Sequence, residues 1–304
     1  MTRFGPVALF AVLCLLWGSN WLWLKLAVAD APPLAFAAAR SLAAGAVLLA
    51  LAGPRNVAAL LRERPGLVLG TALLTNTLTY AGMYWGTARI ASGLAAVVNN
   101  ALMPLGLTAF GLAFREEAFS RRRIAGIVLG AAGLALLFAR RSGGGLDAAG
   151  VAAVAAGTLA YCLGSVRSRP LLRLATPVAV GCAQMLAGGL ALAAVAAVVE
   201  APSADVVAAL ARPVPLVALA WLAVGGGVLG QTIYLRLLRD WGPTRAGMYA
   251  FVAPLVATLL GAVVLGERLG VLEVLGGLVM LGAAALVLTP VRGASSTAGS
   301  APTN

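Results

Sequence analysis

The chain has 304 residues, 61% hydrophobic and 11% charged, with a mean hydropathy of +0.97. A domain that stays in water needs far more polar surface, so the composition excludes a soluble enzyme or binding module and indicates a polytopic membrane protein. The net charge of +12 does not indicate a nucleic-acid partner, because the cations are confined to the short segments between apolar runs.

A helix needs about 20 mostly apolar residues to cross a hydrocarbon core of about 30 Å. Such runs lie at 6–29, 33–52, 66–88, 91–113, 122–139, 148–169, 177–200, 213–238, 243–265 and 270–289. They predict an all-α membrane protein of about ten transmembrane helices, with gaps too short to hold a soluble domain. The small, polar tail 291–304 is predicted to be a disordered cytoplasmic segment.

The first run carries Trp17, Asn20, Trp21 and Leu24 at i, i+3, i+4 and i+7, one helix face, with Gly18 beside them. Trp17 lies near mid-depth, away from the interfacial belt where tryptophan collects. The second run contains Arg40. Asn76, Tyr80 and Met83 form a stripe on the third, and Asn99, Asn100 and Met103 on the fourth, ahead of a central Pro104. Small faces follow on the fifth (Gly126, Gly130, Gly133) and polar ones on the sixth (Thr158, Tyr161, Ser165). The eighth offers Gln231 and Tyr234, the ninth Tyr249 and a central Pro254, and the tenth Gly276, Gly277 and Gly282.

An unpaired polar group facing lipid costs about 1–3 kcal/mol or more, so these side chains are predicted to face the bundle interior. Taken singly, each is explained as readily by hydrogen bonding between helices. Taken together, Trp17, Asn20, Trp21, Asn76, Tyr80, Asn99, Asn100, Met103, Tyr161, Gln231, Tyr234 and Tyr249 are the candidate substrate-binding residues. Amides and phenols suit the charged groups of a zwitterion, and tryptophan and methionine suit an apolar side chain. Arg40 admits two roles: binding a substrate carboxylate, or snorkelling outward to brace the bundle.

With the amino terminus inside, the cytoplasmic segments hold Arg3, Arg55, Arg62, Arg64, Arg115, Arg121, Arg122, Arg123, Arg167, Arg169, Arg173, Arg236, Arg239, Arg245 and Arg292. The other face holds only Lys25, Arg89, Arg140, Arg141, Arg212 and Arg268. This positive-inside bias, present in both halves, places both termini in the cytoplasm.

Compared with itself at an offset of 150 residues, the chain aligns Tyr84 with Tyr234, Arg89 with Arg239, Pro104 with Pro254, Gly111 with Gly261, Glu117 with Glu267 and Gly126 with Gly276. Two repeats follow, 1–145 and 146–290. Five spans per repeat is an odd number, so the second repeat is threaded the other way, with Glu117 at the cytoplasmic rim and Glu267 at the external one. Inverted repeats of this kind give secondary transporters two interconvertible openings around one site. Gly18, Pro104, Pro254, Glu117 and Glu267 are the candidate hinge and gating residues. A proline inside a helix frees a carbonyl and permits a bend.

Several chemistries are missing. There is no histidine, which excludes imidazole relays and His-ligated metals. Cys14, Cys162 and Cys182 fall inside apolar runs with no metal-ligand spacing, and no catalytic constellation is present. Asp30, Glu63, Glu116, Glu117, Asp147, Glu200, Asp205, Asp240, Glu267 and Glu273 all lie near helix ends or in loops, not at mid-depth where proton-coupled carriers place a titrating group. Gly225-Gly226-Gly227-Val228-Leu229-Gly230 spells G-x-G-x-x-G, but inside an apolar span, so helix packing is its expected use.

The first span LLWGSNWLWLKLAV, Arg40 in FAAARSLAAGAVLLA, and the Pro104-to-Glu117 segment with its second copy from Pro254 to Gly266-Glu267-Arg268 resemble the EamA-type branch of the drug/metabolite transporters. The resemblance runs from about residue 7 to 289. It implies ten helices in two inverted five-helix repeats, a central cavity, and export of amino acids or related metabolites. With the wall residues above, the expected solutes include hydrophobic or aromatic amino acids, carried across a bacterial inner membrane, and the residues present call for no metal or cofactor. A broad drug exporter and a nucleotide-sugar or organophosphate exchanger are the alternatives within transport, and the last would want more cations in the cavity than Arg40. A membrane-embedded enzyme is the rival outside it. The glycine faces on spans five and ten suit close helix contact within one chain or across a homodimer.

Overall fold

The computed structural model of the chain describes residues 5–90, 92–138, 147–200, 204–265 and 270–289. Glu267 and the tail 291–304 lie outside them. Every regular element among the described residues is helical: α1 (Pro6–Asp30), α2 (Pro33–Ala52), α3 (Pro54–Glu63), α4 (Pro65–Ala72), a π segment (Leu73–Leu78), α5 (Thr79–Arg89), α6 (Ser92–Ala113) and α7 (Arg121–Phe138). Then come α8 (Ala148–Leu174), α9 (Pro177–Val199), α10 (Ala204–Leu210), α11 (Pro213–Trp221), a second π segment (Leu222–Gly230), α12 (Gln231–Trp241), α13 (Pro243–Gly247), α14 (Tyr249–Leu265) and α15 (Val271–Leu288).

Local sequence explains the breaks between helices. Proline opens α1, α2, α3, α4, α9, α11 and α13, where its missing N–H has no helical acceptor and its fixed φ suits the first turn. Gly53 and Gly242 end α2 and α12 at φ 81° and 84°, a region that favours glycine. Asp147 caps α8, accepting from the N–H groups of Ala149 at 2.9 Å and Gly150 at 3.2 Å. The Gly150 and Ala149 bonds, and Arg89 at 3.6 Å, hold its carboxyl below the usual carboxylate range. The cap is therefore fully charged at neutral pH and is lost only as pH falls through that lowered value.

Seven helices among the described residues are long and apolar enough to cross a membrane: Pro6–Asp30, Pro33–Ala52, Leu94–Ala113, Ala148–Leu174, Pro177–Val199, Pro213–Trp241 and Val271–Leu288. The other predicted runs are also helical, each with a polar or geometric interruption. Residues 65–89 carry Thr71, Thr75, Asn76, Thr77 and Thr79 around the first π segment. Arg121–Phe138 opens on three arginines. The stretch 243–265 is broken at Met248, whose N–H turns back to the Arg245 carbonyl. The amphipathic α3, with Val57 and Leu60 buried and Arg55, Arg62 and Glu63 among its polar residues, lies in what the sequence reading treated as a gap.

The order of elements occurs twice, at the 150-residue offset. Each half has two long helices, a short helix (α3 or α10), a helix interrupted by a π segment, and two further helices, which in the second half are preceded by the short α13. The packing is duplicated as well. α1 packs on α11, the second π segment, α12 and α14, as α8 does on α4, the first π segment, α5 and α6. α2 pairs with α9, α7 with α15 and α6 with α14. Glu200, just past α9, accepts from the N–H groups of Leu34 and Ala35 at 2.8 Å, placing a carboxylate at the positive end of α2.

Of the predicted small faces, Gly126 and Gly133 of α7 and Gly276 of α15 meet across the α7–α15 contact, whereas Gly130 and Gly277 face Phe251 and Leu255 of α14. A Cβ on Gly276 would lie 2.6 Å from the Gly133 carbonyl and the Leu137 nitrogen, so the backbones touch. Gly282 has nothing within 4 Å. Gly276→Ala is expected to destabilise the protein by about 1–3 kcal/mol through overpacking, while Gly282→Ala leaves stability unchanged. Thermal unfolding in detergent compares the two, and equal effects would contradict this packing.

Candidate functional site

α1, α2, α5, α6, α8, α14 and the α12 helix with its π segment enclose a cavity of about 110 Å³. Nine of the candidate substrate-binding residues line it: Trp17 and Asn20 from α1, Tyr80 from α5, Asn99, Asn100 and Met103 from α6, Tyr161 from α8, Gln231 from α12 and Tyr249 from α14. Leu24 and Met83, from the same predicted stripes, join them.

The centre of one wall is aromatic. Trp17 packs edge-on to Tyr249 at 4.5 Å between ring centroids, lies 5.2 Å from Tyr234, and stands 6.4 Å from Tyr161. Tyr234 also meets Tyr161 at 5.5 Å and Tyr249 at 5.8 Å, so it forms the back of the cluster and does not line the cavity. Trp17 is fixed by its indole Nε1, which donates to the Gly226 carbonyl at 3.2 Å. Gly226 lies in the second π segment, where the wider turn disturbs the regular helical pairing of carbonyls. The surrounding G-x-G-x-x-G does serve helix packing. A Cβ on Gly226 would sit 2.6 Å from Asn20 Nδ2, one on Gly227 2.6 Å from Ala44, and one on Gly230 would run into the Trp17 ring.

Arg40 reaches the cavity from α2. It is only 7% exposed, so it does not snorkel outward. Its NH1 donates to the Tyr84 hydroxyl at 3.3 Å, its guanidinium carbon lies 4.7 Å from the centre of the Tyr80 ring, and Nε has no hydrogen-bond partner. Three more cavity-lining residues have a buried side-chain atom without a partner: Asn20 Oδ1, Asn100 Nδ2 and the Tyr161 hydroxyl. Asn99 is anchored, its Oδ1 accepting from Thr158 at 3.0 Å. Buried polar atoms in folded proteins are normally satisfied by protein, water or ligand, so the unpartnered ones mark where a polar solute gains most.

Asn76 is placed differently from the sequence expectation. It is buried away from the cavity and donates to Thr75 Oγ1 at 3.1 Å and to the Gln184 carbonyl at 3.2 Å, tying the first π segment to α9. The Trp21 side chain is outside the described set. The sequence reading missed Thr79, Tyr84, Leu222, Gly226 and Ala253 as lining residues. For Tyr84 a signal existed, since the offset aligns it with Tyr234. For Ala253 the signal was its alignment with Met103.

The offset also equates Asn99 with Tyr249, and all four of these residues line the cavity just ahead of Pro104 and Pro254. Each proline deprives a carbonyl, that of Asn100 or Ala250, of its helical N–H donor. Gly18 sits where α1 meets α14, and a Cβ there would lie 2.8 Å from the Ala253 carbonyl, so its visible role is close packing. Glu117 lies in the connection between α6 and α7. It accepts from the Thr244 N–H at 3.0 Å and from the Thr244 hydroxyl, and pairs with Arg123 at 3.3 Å. The adjacent Glu116, which the sequence did not single out, pairs with Arg169 and Arg173 at 2.9 Å. The two carboxylates tie the α6–α7 connection to α13 and α8.

The sequence model of the EamA-like transporter family matches this chain twice, over residues 5–139 and 148–289. The chain belongs to the EamA-like transporter family. This EamA-like protein is 33% identical over 276 residues to the "Uncharacterized inner membrane transporter YedA" of Escherichia coli strain K12, covering 88% of this chain and 84% of that one. It is 27% identical over 274 residues to the "Uncharacterized transporter YvbV" of Bacillus subtilis strain 168, covering 90% and 88%. A solved structure described as "Crystal structure of protein" shares the fold, with a TM-score of 0.78 and 23% identity, over 94% of this chain and 97% of that one. The EamA-like chain is thus a multi-pass membrane transporter.

Trp17→Phe keeps a ring in the EamA-like cavity wall but removes the bond to Gly226. It is expected to cost about 1 kcal/mol of stability, against about 3–5 kcal/mol for Trp17→Ala. Unfolding in detergent measures both, and equal losses would mean that the ring is not packed.

Proposed function

We propose that this EamA-like protein is a secondary transporter that exports amino acids, hydrophobic and aromatic ones among them, or related small metabolites by alternating access around the central cavity. The observation that carries this reading is the wall chemistry. Aromatic and thioether surface adjoins unpartnered amide and guanidinium groups, a combination that suits a solute with an apolar body and a zwitterionic head.

In this reading ten helices cross the inner membrane, both termini are cytoplasmic, and residues 1–145 and 146–290 are repeats of opposite orientation. The duplicated packing supports the repeat, and the arginine distribution supports the orientation. Pro104 and Pro254 are the hinges. The Glu116 and Glu117 contacts hold the cytoplasmic end closed, and Glu267 serves the external end by symmetry. Closing one end while the other opens requires two packings of similar energy, which equivalent halves supply.

Among the described residues no carboxylate lines the cavity, and the chain has no histidine. The driving force in this reading is therefore the solute's own gradient, by facilitated diffusion or exchange. Purified protein in liposomes, at equal pH on both sides and without a membrane potential, is expected to show counterflow of apolar amino acids. Counterflow of lipophilic cations with no movement of any amino acid would replace this reading with drug export.

A further inference from the structure

We propose that Arg40 is a carboxylate-binding group, so that the central cavity accepts small apolar solutes bearing one carboxylate, zwitterionic or simply anionic, and rejects solutes whose only charge is positive. The inference rests on the cavity being the solute site and adds the chemical class that the site selects.

Arg40 is a permanent cation held inside a helix bundle, 7% exposed. Burying an unpaired charge is costly, and charged groups in spans normally pair with one another. Among the described residues, ion pairs involve Arg89, Arg123, Arg169, Arg173, Arg236 and Arg239, and none involves Arg40. Its surroundings are instead neutral acceptors and π faces. The Tyr84 hydroxyl takes NH1 at 3.3 Å, and the Tyr80 ring lies under the guanidinium at 4.7 Å. A ring face attracts a cation but does not neutralise it. Nε has no partner at all.

A guanidinium with donor capacity to spare matches a planar carboxylate, which it engages with two parallel hydrogen bonds. Among the described residues it is the one cationic side chain lining the cavity. A single positive charge balances a monoanion, whereas a phosphate dianion would need more. The unpartnered Asn20 Oδ1 offers an acceptor to an ammonium group, and Trp17, Met83, Met103 and Leu222 provide apolar wall for the body of the solute. A solute carrying only an ammonium would face Arg40, and among the described residues no carboxylate lines the wall to compensate.

Three probes with one apolar body separate the charges: L-leucine, 4-methylpentanoate and 3-methylbutan-1-amine. Calorimetric titration of the whole protein in nanodiscs is expected to show L-leucine and 4-methylpentanoate binding, with the amine at least about 10-fold weaker. Arg40→Gln should weaken both carboxylates by about 10- to 100-fold, the worth of a lost charge-assisted bond, and Arg40→Lys should weaken them less. The amine binding wild-type protein as tightly as L-leucine would overturn the proposal without any variant, as would failure of all three probes to bind. Unchanged carboxylate affinity in a folded Arg40→Gln protein would overturn it as well. Counterflow in liposomes separates this from the transport reading. Carboxylate binding without counterflow would contradict transport and leave the Arg40 assignment standing. Counterflow of the amine alone would do the reverse.

Discussion

A polar group inside a lipid bilayer has no water to fall back on, so it must find its partner within the bundle. Most of the interior of this protein follows from that constraint. Thr75, Asn76, Thr77 and Thr79 surround the first π segment, and each bonds a backbone carbonyl of its own or a neighbouring helix. Gln184 donates to Ser168 at 2.7 Å and Ser168 to the Gly164 carbonyl at 2.6 Å, closing a buried chain between α8 and α9. Around Arg40, Asn20 and Asn100 the same requirement is left open within the protein, as it is at Asn76 Oδ1 and Gln184 Oε1 away from the cavity. The cavity gathers four residues with such an atom, Asn20, Arg40, Asn100 and Tyr161.

Glycine sets how closely the scaffold packs around that opening. Gly82 and Gly157 bring α5 and α8 together, with a Cβ on Gly82 only 2.5 Å from the Ala153 carbonyl. Gly188 does the same for α9 against α4, at 2.6 Å from the Ala72 carbonyl. Between lipid-exposed helices there is little hydrophobic driving force, so close backbone contact and buried hydrogen bonds carry the association. Trp17, Tyr161, Tyr234 and Tyr249, one each from α1, α8, α12 and α14, pack on one another beside the cavity.

Much of this was legible in the sequence because it depends on local pattern. Hydropathy located the helices, and polar stripes at i, i+3 and i+4 identified Asn20, Tyr80, Asn99, Asn100 and Gln231 as inward-facing. What escaped was tertiary. Nothing local distinguishes Asn76, whose Nδ2 donates to Thr75 and Gln184, from Asn99, which lines the cavity. Tyr234 and Tyr84 occupy aligned positions, yet one backs the aromatic cluster and the other reaches the wall. The π segments were also hidden: one falls in a threonine-rich stretch and the other in a glycine-rich one, with no shared residue pattern. Arg40 could be placed in a span from sequence, but only the packing of α2 against α5 decides that it turns inward.

Alternating access requires one site reached in turn from both sides of the membrane. The direct measurement is accessibility of a single cysteine at Asn100 on the cavity wall, in a protein whose Cys14, Cys162 and Cys182 are replaced by serine. A membrane-impermeant thiol reagent is predicted to label Asn100→Cys both in right-side-out and in inside-out vesicles, with L-leucine slowing the reaction from each side. Labelling from one side only, unaffected by solute, would contradict alternating access around this cavity.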